Sequence, residues 1–226
     1  MSEGSAGETS LRSAPAGETS LRSAPGRSPP DARAGLPLEV ATDPQWVFVA
    51  ASNLPHLLQD HAHCELKAAS QALSLVARYA DDSPLVGDLL ALAREEMRHF
   101  DRVRQVLAGR GLPLPPVGPD RYVKELRRLS QRGLGPGLVG LDALLTCGFV
   151  EARSCERFRL LGAHLEDADL RDLFLELGLA EARHHELFFE HAARRSGAEP
   201  AAERARAIAR IEGELVRSLP LAPRIH

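Results

Sequence analysis

The sequence predicts an all-α protein: a four-helix bundle with one long crossover and an additional C-terminal helix. Three observations carry that expectation. The 16 prolines leave three long proline-free stretches, 56–83, 85–112 and 137–199, and a proline inside a helix removes an N–H and collides with the turn before it. Those stretches are rich in Ala, Leu, Glu and Arg, which favour helix, whereas strand-favouring β-branched and aromatic residues are few. Apolar residues in them recur at i, i+3, i+4 and i+7, giving each helix one face to bury.

Residues 1–37 are of a different material. AGETSLRSAP stands at 6–15 and again, letter for letter, at 16–25, followed by GRSPPDARAG. Such a polar, Pro/Gly-rich tract buries too little apolar area to offset the entropy of ordering, so it is expected to be a disordered tail, with a duplicated recognition peptide as the sharper alternative. The folded domain is expected over 38–220, with 221–226 as a short tail.

Within the domain, the first long helix runs from about Leu54 to Ala80 and stops at Asp81-Asp82-Ser83. The second opens with Ser83 as N-cap and Pro84 in the first turn, a favoured pairing, and ends near Gly109 and Gly111. GLPLPPVGP at 111–119 makes a stiff crossover, followed by a short basic helix over about Arg121–Gln131 and a GLGPG break. The third and fourth long helices cover about Leu138–His164 and Asp169–Arg195, and a last amphipathic helix about Ala201–Leu219. Short links pair one with two and three with four, and the 111–137 link joins the pairs.

Composition narrows the function. With 28 basic and 31 acidic residues the formal charge is −3, which argues against binding polyanions over the whole surface while leaving room for a local basic patch. No apolar run is long enough to span a membrane, and the start lacks the basic and apolar regions of a secretory signal. Cys64, Cys147 and Cys155 lack CxxC spacing. They are read as small buried hydrophobes in a reducing, cytoplasmic setting.

The chemistry lies where acids interrupt apolar rows. Leu58, Ala62, Glu65, Ala69, Ala72 and Val76 form one row, and Leu89, Leu92, Ala93, Glu96, His99 and Val103 a second. Leu144, Cys147, Glu151, Cys155 and Phe158 form a third, and Phe174, Leu177, Glu181, His184 and Phe188 a fourth. Buried carboxylates cost several kcal/mol unless neutralised, paired or coordinated. Glu96-Met-Arg-His99 and Glu181-Ala-Arg-His184 are both Glu-x-x-His, and residues i and i+3 lie about 60° apart around a helix, so both can reach one ion. Glu65 precedes Glu96 by 31 residues and Glu151 precedes Glu181 by 30. The half-site therefore occurs twice, the di-metal carboxylate arrangement of a four-helix bundle. Four ionised glutamates and two neutral histidines carry −4, which two divalent ions cancel. Oxygen and imidazole donors without thiolate suit iron or manganese.

Neighbouring residues have plainer expectations. His61, at i−4 from Glu65, is placed to bond a ligand; His63 points elsewhere; His185 and His191 are surface groups or partners of ligands. The Ala-rich face around Glu65 either leaves room for a bound group or lets helices approach closely. Over 120–132, Arg121, Lys124, Arg127, Arg128 and Arg132 outnumber Asp120 and Glu125 by three, and Arg153, Arg157 and Arg183 lie beside the ligand helices. These arginines and lysines are the candidate RNA contacts, with an ordinary solvated face as the alternative. Tyr122 is the one aromatic on the basic stretch.

DHAHCELKAASQALSL at 60–75, EEMRHF at 95–100, EARSCERFRLL at 151–161 and EARHHELF at 181–188 resemble the tRNA 2-methylthio-isopentenyl-adenosine hydroxylase family over about residues 38–220. EARSCERF is the specific signal, because the ligand pattern alone is shared with ferritins and other carboxylate oxygenases. The resemblance implies a ferritin-like bundle with two non-haem iron ions, a tRNA substrate, O2 as co-substrate and an electron-transfer protein or reductase as external electron donor. It also implies hydroxylation of the isopentenyl group beside the anticodon. The family's metal ligands fall on Glu65, Glu96, His99, Glu151, Glu181 and His184. Two other readings are a ferroxidase or peroxide-reducing protein without RNA, and an interaction bundle without metal.

Overall fold

Helices form where the proline gaps and capping residues allow them. In the computed structural model, which describes residues 31–226, the elements are α1 (Gln45–Ser52), α2 (Leu54–Arg78), α3 (Ser83–Gly109), α4 (Arg121–Ser130), α5 (Val139–His164), α6 (Ala168–Ser196) and α7 (Ala198–Ser218), with a 3-10 turn at Pro136–Leu138. The duplicated peptide lies outside the described residues, but the tail expected over 1–37 is ordered across 31–37, where Arg159 donates to the Ala32 and Ala34 carbonyls and Leu36 packs against the core.

Side-chain caps start α2, α3, α4 and α6. Asn53 accepts from the His56 N–H at the head of α2, Asp120 from Val123 at α4 and Asp167 from Leu170 at α6. The cap of α3 is Asp82, one residue before the expected Ser83: its carboxylate accepts from Leu85 N–H at 3.2 Å. Asp82 also pairs with Arg194 and Arg195. A carboxylate at this position meets both the helix amides and two guanidiniums, which Ser83 cannot do. Gly197, at φ 89°, makes the turn from α6 into α7.

The core divides into two apolar clusters. One contains Leu85, Leu89, Tyr122, Leu126, Phe149 and Ile208; the other contains Trp46, Leu57, Leu58, Val103, Phe158 and Phe174. Each long helix crosses from one cluster to the other. α2 and α6 pass from the Trp46 cluster to the Tyr122 cluster, while α3 and α5 run the opposite way. Hence α2 is antiparallel to α3, α5 is antiparallel to α6, and α3 is parallel to α5. Two consecutive helices that run parallel need a connection the length of the bundle, which residues 110–138 supply. The bundle, its crossover and the extra helix α7 agree with the expectation.

Two features depart from the sequence reading. α1 is an additional short helix, apolar enough to bury Trp46, Val47, Ala50 and Ala51. Residues 221–226 are not a free tail: Ile225 is fully buried in the Trp46 cluster. The Ala-rich face of α2 mostly mediates close packing, with Ala62, Ala69 and Ala72 all buried.

Candidate metal centre

The six expected ligands lie where each long helix leaves one apolar cluster and has not yet entered the other. Glu65 is on α2, Glu96 and His99 on α3, Glu151 on α5, and Glu181 and His184 on α6. Glu96 is completely buried, and Glu65, Glu151, Glu181 and His184 nearly so. Donor atoms of Glu65, Glu96, His99 and Glu181 lie within 4.8 Å of one another, as do those of Glu96, Glu151, Glu181 and His184. Glu96 and Glu181 belong to both sets.

Both imidazoles turn the same nitrogen inward. His99 Nδ1 is 3.5 Å from Glu65 Oε2 and from Glu96 Oε2. His184 Nδ1 is 2.8 Å from Glu96 Oε1 and 3.3 Å from Glu181 Oε2. Their Nε2 atoms face Glu95, at 3.8 Å from His99 and 3.4 Å from His184, and Glu95 accepts from Arg183. His61 Nε2 meets Glu65 Oε1 at 2.5 Å. Burial pushes the His61 imidazole down to about 3, so it is neutral, and it can donate from Nε2 to Glu65 when that carboxylate is ionised.

Burial and neighbouring charge pull the donor groups in opposite directions. Burial, then the neighbouring charge of Glu96, raises Glu65 well above the usual carboxylate range; burial and Glu181 do the same to Glu151, and burial and Glu96 raise Glu181. Burial would also raise Glu96, but the imidazoles of His184 and His99 beside it outweigh that and lower it. Burial opposes the charged forms of His99 and His184, yet the surrounding carboxylates win and lift them to about 10 and about 12.

The donor set fits two divalent ions. Both carboxylate oxygens of Glu96, together with His99 Nδ1, are buried without a well-aligned hydrogen bond, a costly state for atoms of this kind unless something coordinates them. Hard oxygen and borderline nitrogen donors match iron or manganese.

A cavity of about 770 Å³ opens onto this centre, within the range that holds a small organic group. Glu65, Glu96, Glu151 and Glu181 border it, but neither His99 nor His184 does. Val150, Phe158 and Phe188 supply apolar wall, and Lys67, Lys124 and Arg127 supply cations. Cys64 and Cys147 also border it, with burial pushing the Cys147 thiol up to about 12 and the Cys64 thiol higher still than its ordinary value. Both are therefore neutral thiols.

The expected RNA contacts separate into groups. Arg121, Lys124 and Arg128 are exposed on α4, and Arg127 is partly buried, donating to Gln71. Arg183 is exposed beside Glu95. Arg153 departs from the expectation: it is fully buried, with both Nε and Nη2 donating to Glu212 and Nη1 donating to Glu156. Its place is inside α5, α7 and the 40–42 segment, so it braces the fold instead of framing an entrance. Arg157 likewise reaches inward, donating to the Ile225 carbonyl and lying over Trp46. His191 bonds Asp88 and is no ligand.

Sequence reasoning missed Lys67, Glu95, Ser154, Asp120 and His226 around the site. Glu95 had one readable signal, its i, i+4 spacing to His99, and Ser154 another, its i, i+3 spacing to Glu151; the others sit off the apolar rows.

Comparison with known proteins places these residues in context. A family model described as tRNA-(MS[2]IO[6]A)-hydroxylase (MiaE) matches residues 35–226. A Pseudomonas putida KT2440 protein named tRNA 2-(methylsulfanyl)-N(6)-isopentenyladenosine(37) hydroxylase is 42% identical over 156 residues, covering 69% of this chain and 73% of that protein. A protein of the same name from Salmonella typhimurium LT2 is 30% identical across 84% of this chain and 87% of its own length. Among solved structures, "Protein 43 with aldehyde deformylating oxygenase activity from Synechococcus" superposes with a TM-score of 0.78 at 35% identity, covering 84% of this chain and 94% of that one. The bundle is thus of the ferritin-like kind.

Proposed function

The chain belongs to the tRNA-(MS[2]IO[6]A)-hydroxylase family, and we propose that it hydroxylates the isopentenyl group of 2-methylthio-isopentenyl-adenosine beside the anticodon of tRNA, at a two-iron centre. The observation that carries this reading is the cavity: all four carboxylates of the donor set border it, and so do apolar side chains and cations. A metal-storage or peroxide-reducing protein has no need of a cavity of this size beside its ligands, and both curated relatives are named as hydroxylases.

Glu65 and His99 would hold one ion, Glu151 and His184 the other, with Glu96 and Glu181 reaching both, following the two overlapping donor sets. When bound, iron supplies the O2 chemistry: a C–H bond, O2, two electrons and two protons become a C–OH bond and water. The electrons come from an external electron-transfer protein or reductase. What the chain contributes is placement and exclusion. Val150, Phe158 and Phe188 favour a prenyl chain over water at the carboxylates. Glu95 stands 3.8 Å from His99 Nε2 and 3.4 Å from His184 Nε2, a charge that favours the tautomer protonated there and leaves Nδ1 for a cation, and His61 orients Glu65. Lys67, Lys124 and Arg127 offer charge to RNA phosphates, a local attraction that a net charge of −3 does not cancel at short range.

The test is mass spectrometry of anticodon nucleosides after incubating tRNA with iron-loaded protein, reductant and O2. The modified adenosine should gain one oxygen atom. No gain while peroxide is consumed would overturn the reading. Glu151→Ala should lose iron and turnover together; full iron occupancy with turnover would reject the ligand assignment.

A further inference from the structure

A second group of metal-type donors lies apart from the carboxylate centre. Atoms of Cys64, Asp120 and His226 fall within 4.8 Å of one another, and none of these residues belongs to either carboxylate set. They come from three separate parts of the chain: Cys64 from α2, Asp120 from the cap of α4, and His226 from the segment after α7. Adjacent residues of a helix point about 100° apart, so Cys64 looks to a different side of α2 from Glu65. All three residues border the cavity.

The segment that carries His226 forms no helix or strand, yet it is fastened at successive residues. Trp46 Nε1 donates to the Arg224 carbonyl at 3.2 Å, Ile225 N–H donates to Asp60 Oδ2 at 2.8 Å, and Arg157 Nη1 donates to the Ile225 carbonyl at 2.6 Å. Asp60 Oδ2 also lies 3.8 Å from Cys64 Sγ, so one carboxylate holds the backbone beside His226 and meets the thiol. Ordering an irregular segment costs conformational entropy, and its outcome here is an imidazole fixed beside a cysteine and an aspartate.

The donor atoms are turned as ligands are. His226 Nε2 is 2.8 Å from Ser154 Oγ, and a ligating histidine commonly bonds a protein oxygen through the nitrogen that does not meet the metal. The other nitrogen, Nδ1, stands 3.7 Å from Asp120 Oδ2. That is too far for a hydrogen bond but close to the separation of about 3.4 Å between nitrogen and oxygen ligands of one tetrahedral zinc ion. Asp120 Oδ1 is taken by the Val123 N–H, which leaves Oδ2 for a cation. Lys67 Nζ, 3.9 Å from Asp120 Oδ2, belongs to a partly exposed side chain that can turn to solvent.

We infer that Cys64, Asp120 and His226 form a mononuclear site for a divalent cation of the zinc class, separate from the two-ion centre. A thiolate, a carboxylate and a neutral imidazole carry two negative charges, which one such ion cancels. A thiolate among the donors selects zinc over the harder ions that suit oxygen and imidazole alone, and three protein ligands leave the fourth tetrahedral position to water. The thiol gives its proton to solvent as the ion binds. Bound there, the ion ties the head of α4 and the C-terminal segment to α2. The site needs no iron, tRNA or turnover, so it stands or falls apart from the hydroxylase reading.

The test is titration of the metal-free protein with cobaltous ion, which occupies zinc sites and shows a sulfur-to-cobalt charge-transfer absorption when a thiolate ligates it. The carboxylate centre has no sulfur donor and gives none. The band should grow to the amplitude of one cobalt–thiolate bond per chain and disappear on adding zinc. Cys64→Ser should remove it, whereas Cys147→Ser and Glu151→Ala should keep it. Asp120→Asn, which still caps α4, and His226→Gln should weaken the cobalt affinity read from the band. Their losses should exceed the roughly 10- to 100-fold expected of Ser154→Ala, which removes only the outer partner of the imidazole. No band in the wild-type protein overturns the inference, as does a band that survives Cys64→Ser, or one whose affinity is unchanged in Asp120→Asn and His226→Gln. In the wild-type protein zinc should also slow alkylation of Cys64, read by peptide mass spectrometry, and leave that of Cys147 unchanged, which identifies the thiol even where a variant fails to fold; an unprotected Cys64 overturns the inference as well.

Discussion

Replacing Glu212 by alanine should destabilise the protein severely, and the reason lies in how Arg153 is buried. The guanidinium is fully inaccessible and uses Nε and Nη2 in a bidentate pair with Glu212, both at 2.8 Å. Its remaining N–H groups go to Glu156, the Thr42 hydroxyl at 3.2 Å and the Val40 carbonyl at 2.9 Å. Glu212 accepts in addition from Tyr122 Oη at 2.9 Å. Removing the Glu212 side chain strands a buried cation against Glu156 alone and leaves the Tyr122 hydroxyl without an acceptor. Breaking a buried pair from one side costs about 3–5 kcal/mol. For a domain of this size each kcal/mol lowers Tm by about 2–4 °C, so the loss should be about 6–20 °C. Glu212→Gln keeps the shape and one acceptor but turns an amide N–H toward the guanidinium, and should fall between. The assay is thermal unfolding of both variants in the metal-free form, because bound metal would add its own stabilisation. A Glu212→Ala protein melting within about 2 °C of wild type would refute this account of the Arg153 network.

Three further outcomes follow from the centre and its surroundings. In the metal-free fold His99 and His184 are raised to about 10 and about 12; their contribution to metal-free stability is full below the unfolded value near 6.5 and is lost as pH rises through 10 to 12. Metal binding needs them neutral, so loading two ferrous ions at pH 7 should release at least about two protons per chain, and affinity should fall steeply with acidification. Calorimetry in buffers of different ionisation enthalpy counts those protons, and fewer than about one would contradict the charge balance described. Lys124→Ala should weaken binding of any tRNA alike and reduce the salt slope of log K by about 1; a loss confined to modified tRNA would show that Lys124 reads the base. His61→Ala removes the N–H that orients Glu65 and should weaken ferrous binding by about 10- to 100-fold, with an unchanged ferrous titration counting against that role.

Local rules made most of the fold readable. Proline at 55, 84, 113, 136 and 200 bounds helix after helix, and the apolar rows show which faces turn inward. The clustering of the six candidate ligands was readable for a related reason: they interrupt those rows at i, i+3 spacing, and the interruption repeats. Arg153 was not readable, because its partner Glu212 stands 59 residues away on a helix whose place the periodicity does not fix. An arginine between two ligand-helix glutamates reads as surface charge until α7 and the 40–42 segment are laid over it. The same holds for His226, whose partners Asp120 and Ser154 come from two other elements. Residues 221–226 have too little apolar content to announce a burial that depends on Asp60, Trp46 and Arg157 being already in place.

The two halves of the centre are alike in spacing and unlike in surroundings, and that contrast separates holding metal from using it. Glu95 precedes Glu96, but Ala180 precedes Glu181, so a single outer carboxylate serves both histidines from the α3 side. Glu65 receives His61, whereas Glu151 has the Ser154–His226 contact one turn further along its helix. The cavity meets carboxylates of both halves and neither histidine. A symmetric donor set alone would offer a ligand two equivalent approaches. Here the cavity is bordered by the carboxylates, while Glu95 and Arg183 stand on the histidine side. Carboxylates can change how they bind a cation without moving their helices, whereas an imidazole offers one nitrogen in one direction. The side that faces the cavity is therefore the adaptable side.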